Sequence, residues 1–201
     1  MPPDTPRSRG PEISPDETVG RAWQALPPAH RDLLRAIGAH QWLVVAKPLG
    51  AVANGLLRGA GPAQYTNAVE RDLDHALGIW LRELRLVLIN DAHPKLAGLD
   101  RGTREEMLAR IAWHEWGHAL SLARCSEEHV AAGVRLLQLA PAGIRNSIRD
   151  AGYGERQYTH EVIAETYALM MLRRLAGGFG QPLWLNDEIY ELLTETTGWS
   201  G

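Results

Sequence analysis

His114-Glu115-Trp116-Gly117-His118 carries the pattern H-E-x-x-H. On an α-helix, residues four apart lie on one face, so His114 and His118 can aim imidazole nitrogens at a single point. Glu115 then falls on the flank of that pair. Two neutral imidazoles suit zinc, and a carboxylate beside them can act as a general base toward water. The pattern has this meaning only on a helix. Otherwise, or without metal, it is two satisfied histidines in a core segment.

The flanking residues supply the helix. Thr103-Arg104-Glu105-Glu106 reads as a capping box, with Thr103 as N-cap and Glu106 answering it. Met107, Leu108, Ile111, Ala112, Ala119 and Leu122 then recur at helical spacing. A catalytic zinc site takes three protein ligands and keeps one position open. A second helix, predicted from Thr159 to about Ala176 and closed by Gly177-Gly178, offers Glu161 and Glu165, again four apart. A carboxylate pair usually marks a solvated face. Here Val162, Ile163, Ala164, Tyr167, Ala168, Met170 and Met171 leave little polar surface. Buried acids need a partner, because an unpaired buried charge is expensive. A metal held by two imidazoles would be one.

Composition bounds the rest. A chain of 201 residues, 45% hydrophobic and 22% charged, fits one globular domain with a real core. A formal net charge of −3 gives no electrostatic case for nucleic acid or an anionic membrane. Cys125 is the single cysteine, so an intrachain disulfide is excluded; it reads as structural rather than nucleophilic. No apolar run approaches the roughly 20 residues of a membrane span. Residues 1–15 are rich in Pro, Ser and charge and lack the apolar stretch of a secretory signal. They are expected to be a disordered lead-in to a single domain over 16–201. The default expectation is a cytoplasmic protein, with signal-independent secretion left open. Oligomeric state is not readable, although seven tryptophans could serve an interface.

In chain order, helices are expected over 17–26 and 29–38, separated by Pro27-Pro28, the second burying Leu33, Leu34 and Ile37. A short strand over 41–46 follows. The glycine-rich stretch 50–62 reads as a loop or a poorly ordered helix, and 64–77 as a helix. Gly78 to Leu81 and Arg85 to Asp91 read as a strand and its partner. Leu86 to Asn90 could be a plain core strand or an edge to which an extended substrate adds by main-chain hydrogen bonds. Helices are expected over 127–139, 142–151 and 186–196, with a Gly152-Tyr153-Gly154 turn between. The fold class is α+β, helix-rich with a small sheet. His30, His40, His75, His93 and His129 read as ordinary surface or capping residues, and His160 as solvent-facing, with proton transfer as its alternative.

The order His114-Glu115-Trp116-Gly117-His118, then Tyr153-Gly154, then Glu161-Val162-Ile163-Ala164-Glu165-Thr166-Tyr167-Ala168 resembles the core of the anthrax lethal factor family of gluzincin metallopeptidases. The resemblance covers about residues 76–176. It implies a zincin-like domain that hydrolyses peptide bonds in a protein or peptide substrate with one Zn(2+) per chain. His114, His118 and Glu161 would hold the ion, Glu115 would activate water, and Glu165 would orient a ligand histidine. Tyr153 would donate to the oxyanion, but it stands one residue further from Glu161 than in the family, so Tyr158 is a rival. The family's toxin member has further domains for which this chain has no room, so its substrate preference does not carry over. Two other classes compete: a zinc-binding interaction module without turnover, and a metal-free helical domain.

Overall fold

The computed structural model describes residues 13–60, 73–123, 127–150, 157–175 and 187–198. Helices are α1 (Pro15–Ala25), α2 (Pro28–Ala36), α3 (Leu49–Ala60), α4 (Arg101–Ala123), α5 (Glu127–Leu139), α6 (Ala142–Asp150), α7 (Tyr158–Leu175) and α8 (Asp187–Thr197). Strands are β1 (Gln41–Val45), β2 (Gly78–Leu81) and β3 (Leu86–Asn90). The architecture is α+β, helix-rich with a small mixed sheet. Among the described residues no helix is long and apolar enough to cross a membrane. The Gly152-Tyr153-Gly154 turn, Cys125, residues 1–12 and most of the helix expected over 64–77 lie outside the described residues; 74–77 form a turn.

The sheet order is β1-β3-β2, with β1 parallel and β2 antiparallel to β3. β3 is therefore the central strand. Its backbone is engaged on both sides, so the edge-strand alternative for Leu86–Asn90 fails and the core-strand alternative holds. Its unbroken apolar run follows from burial on both faces. Val87 and Ile89 join the main core, while Leu88 meets Leu49, Ala53 and Leu57 of α3. Those three α3 residues recur every fourth position, and this stripe turns the glycine-rich stretch into a helix at the cost of its glycines. At the end of α2, Gly38 takes φ +81° and the Ala39 N–H reaches the Leu34 carbonyl at 2.7 Å. This is a Schellman closure, at the glycine where the sequence ends the helix.

α4 is the axis of the molecule. Its N-cap is Asp100 rather than Thr103: Asp100 Oδ1 accepts from Thr103 N–H at 3.1 Å, and Oδ2 accepts from the Thr103 hydroxyl at 2.5 Å. Both residue types cap well, but only Asp100 stands three positions before a free N–H of the first turn. Arg104 fixes the same end to the sheet through Asp91 at 2.6 Å. Three faces of α4 are covered. Ile111 and Glu115 meet β2 at Gly78, Trp113 and Trp116 meet α1, and the histidine face meets α7. Such a helix has no ordinary polar stripe, as a central element must not.

Tryptophans fix its rotation. Trp113 donates to the Ala22 carbonyl of α1 at 3.0 Å. Trp116 meets Trp23 edge-on with centroids 5.2 Å apart, and Trp42 at 6.1 Å. Trp23, Trp113 and Trp116 are buried core rings, and Trp42 is half-buried against them. His30 is a correction to the surface reading. It is buried, with Nδ1 2.8 Å from the Tyr167 hydroxyl and Nε2 2.8 Å from the Gly198 carbonyl. It ties α2 to α7 and to the end of α8. His93 is also buried, and it caps its turn by accepting from Lys95 N–H at 3.1 Å.

Gly117 sets how close α4 and α7 come. A Cβ there would stand 3.0 Å from the Ala164 Cα and 3.2 Å from the Tyr167 Cβ. In an open helix, Gly→Ala gains up to about 1 kcal/mol, whereas forcing atoms into a packed interface costs about 1–3 kcal/mol. Gly117→Ala should therefore lower the denaturation midpoint, while Gly55→Ala in α3, where a Cβ meets nothing within 4 Å, should raise it. Stabilisation by both would show that the helices do not need this contact.

Candidate metal centre

Because α4 and α7 pack at van der Waals closeness, their polar residues meet across the seam. The His114 Nε2 and His118 Nε2 atoms are 3.1 Å apart. Glu161 closes the triangle, with Oε2 3.4 Å from His114 Nε2 and Oε1 3.5 Å from His118 Nε2. Tetrahedral ligands about 2.0–2.2 Å from an ion lie roughly 3.3–3.5 Å from one another. The two edges to Glu161 have that length, the edge between the histidines is slightly shorter, and the donors are nitrogen and carboxylate. The residues present fit a metal ion.

The two helices alternate their contributions. Along the seam the order is Arg110, Glu165, His114, Glu161, His118, with residues of α4 and α7 interleaved. Glu165 Oε2 lies 3.5 Å from His114 Nδ1, and Glu165 Oε1 accepts from Arg110 Nη2. His114 thus has one nitrogen on the triangle and the other on a carboxylate, the arrangement that orients ligating imidazoles.

Glu115 is buried and belongs to a different face. It points to β2, where the Trp80 backbone N–H hydrogen-bonds its carboxylate. Gly78 makes room: a Cβ there would stand 2.6 Å from Ile111 Cγ2 and 2.9 Å from Glu115 Oε1. The sheet edge beside the acid is therefore β2.

The charges respond to burial and to one another. Burial pushes the Glu115 carboxyl up, and the neighbouring histidines only partly offset it. Burial would lower His114, but the Glu161 and Glu165 carboxylates overrule it and push its pKa up to about 10. Burial would raise Glu161, yet its contacts with His114 and His118 pull it down to about 2. Glu165 is also lowered against its burial, by His114 and then by the Arg110 charge. His160 is half-buried rather than solvent-facing, and burial pushes it down, helped by His118.

Of the site residues predicted from sequence, His114, His118, Glu161 and Glu165 come together and Glu115 stands beside them. Tyr158 is half-buried, its ring packed against the main core at the start of α7. Tyr153 lies outside the described residues. Sequence reasoning missed Arg110 and Gly78. Arg110 was findable, since it stands one turn before His114 on the histidine face; Gly78 was not, because only the packing of β2 on α4 requires it. No protein-family model, curated protein or solved structure matches this chain, so the likeness to the lethal factor family rests on its motif residues alone.

A raised folded-state pKa stabilises while the proton is held. For metal-free protein, the His114 contribution is complete below pH 6.5 and is lost as pH rises through about 10. Denaturation of chelator-treated protein across that window should show stability falling, and His114→Ala should flatten the slope. An equal slope in the variant would remove His114 from the account.

Proposed function

We propose that this chain is a zinc metallopeptidase of the gluzincin type, zincin-like in fold, acting on peptide bonds of a protein or peptide substrate. His114, His118 and Glu161 hold the ion in this reading. The observation that carries it is Glu115, an acid buried beside the three donors that supplies none of them. A module that only binds zinc has no use for such a group, and a metal-free helix has every reason to lose it, because a buried carboxyl without a task costs stability. Support also comes from the helix carrying both histidines, packed between a sheet edge and the helix that supplies the glutamate.

The bound ion would supply Lewis acidity, lowering the pKa of water from near 16 toward about 7 and polarising a carbonyl. The chain's own residues do the rest. Glu115 takes a proton from the attacking water on its carboxylate and delivers it to the leaving amine. Burial shifts its carboxyl upward, the direction that makes a carboxylate a stronger base. Such a transfer is typically worth about a hundred- to ten-thousand-fold in rate. Glu165 holds His114 at Nδ1, so Nε2 keeps its lone pair for the ion. A tyrosine hydroxyl stabilises the oxyanion, and Tyr153 takes that role ahead of Tyr158, whose ring is committed to the core.

Cleavage of a diverse peptide library, read by mass spectrometry, tests the reaction. Wild-type protein should cut it, chelation should stop the cleavage, and Glu115→Gln should keep its zinc while losing at least about a hundredfold in kcat. Near-full activity in Glu115→Gln would sink the assigned base. Tyr153→Phe should lower kcat with little change in KM, and a matching loss confined to Tyr158→Phe would transfer the role.

A further inference from the structure

The seam between α4 and α7 continues past the three donors. Glu165 is bonded twice, by Arg110 Nη2 at Oε1 and against His114 Nδ1 at Oε2. Arg110, His114 and His118 stand on successive turns of α4, and Glu161 and Glu165 on successive turns of α7. We propose that Arg110 is a positioning residue of the metal centre, gripping Glu165 so that His114 presents Nε2 to the ion. This inference rests on the metal-centre reading above and extends it by one side chain.

An imidazole that ligates through Nε2 must carry its proton on Nδ1, and that proton needs an acceptor held in place. Glu165 Oε2 is such an acceptor. Once His114 is neutral, the charge bonded directly to this carboxylate, only 19% exposed, is the Arg110 guanidinium. An uncompensated buried carboxylate is costly and would turn toward water, leaving the ring free to rotate. Arg110 prevents this. Its guanidinium is always charged and has no lone pair to offer a metal, so its effect on the ion passes through Glu165. Its own side chain is 35% exposed, which makes substitution a local change. In the metal-free protein Glu165 keeps His114 as a second partner against Oε2, so stability alone would not reveal this role. Metal affinity would.

The test is a zinc titration of the full chain in metal-buffered solution, alongside denaturation of the metal-free proteins. Arg110→Gln is expected to weaken zinc binding about 10–100-fold, the range for loss of an outer partner, with little change in metal-free stability. Arg110→Lys, which keeps the charge but not the planar fork, should fall between wild type and Arg110→Gln. In a Glu165→Gln background, Arg110→Gln should add no further loss, because the path is already cut. Wild-type affinity in Arg110→Gln, or losses that multiply in the double variant, would overturn the proposal. If Arg110→Gln does not fold, Arg110→Lys in the Glu165→Gln background decides it: equal affinity to Glu165→Gln supports the relay and a further drop refutes it. Absence of zinc binding by the wild type would instead defeat the metal centre itself, a result distinct from these.

Discussion

The structure depends on how closely α4 and α7 approach, and that approach is set by one missing side chain, Gly117 against Ala164. A glutamate is short. Glu161 reaches both histidines only because its helix backbone touches theirs. Everything that fixes α4 in rotation then matters to the site: Trp113 bonded to α1, the Trp23–Trp42–Trp116 cluster, and Arg104 tied to Asp91. These contacts turn the histidine face toward α7 and Glu115 toward β2. The rings are rigid and bury large area, so they restrict rotation more than aliphatic side chains of the same burial would.

Electrostatics makes the same interface self-consistent. Two acids and two histidines with an arginine alternate across it, each acid between positive or protonatable neighbours. Glu161 and Glu165 are held ionised against their burial by these partners, and the cost of burying them is met within the seam. Glu115 is the exception. It shares no carboxylate oxygen with the triangle and is shifted upward, toward neutrality. The fold thus keeps two carboxylates as anions and pushes a third toward its neutral form, a separation of environments that acid–base chemistry can use.

Much of the site was legible because it is local or periodic. His114 and His118 follow from helical spacing, and Glu161 and Glu165 stand out because their helix is otherwise apolar. What could not be read is long-range. Arg110 stands visibly on the histidine face, but its pairing shows only once Glu165, far along the chain, is brought beside it. His30 looked like a surface residue because its partners, Tyr167 and Gly198, come from the other end of the sequence. The central place of β3 depends on β1 pairing across α3, which no local pattern encodes. Asp100 and Thr103 are equivalent cap formers by type, and geometry alone chose between them.

The central claim is that His114, His118 and Glu161 form a metal site. Elemental mass spectrometry of purified protein, with His118→Ala and Glu161→Ala beside the wild type, tests it most directly. About one zinc per chain in the wild type, lost in both variants, is the outcome this geometry requires. No metal in the wild type after controlled reconstitution, or equal metal in all three proteins, would contradict it and reduce the H-E-x-x-H segment to a packed helix.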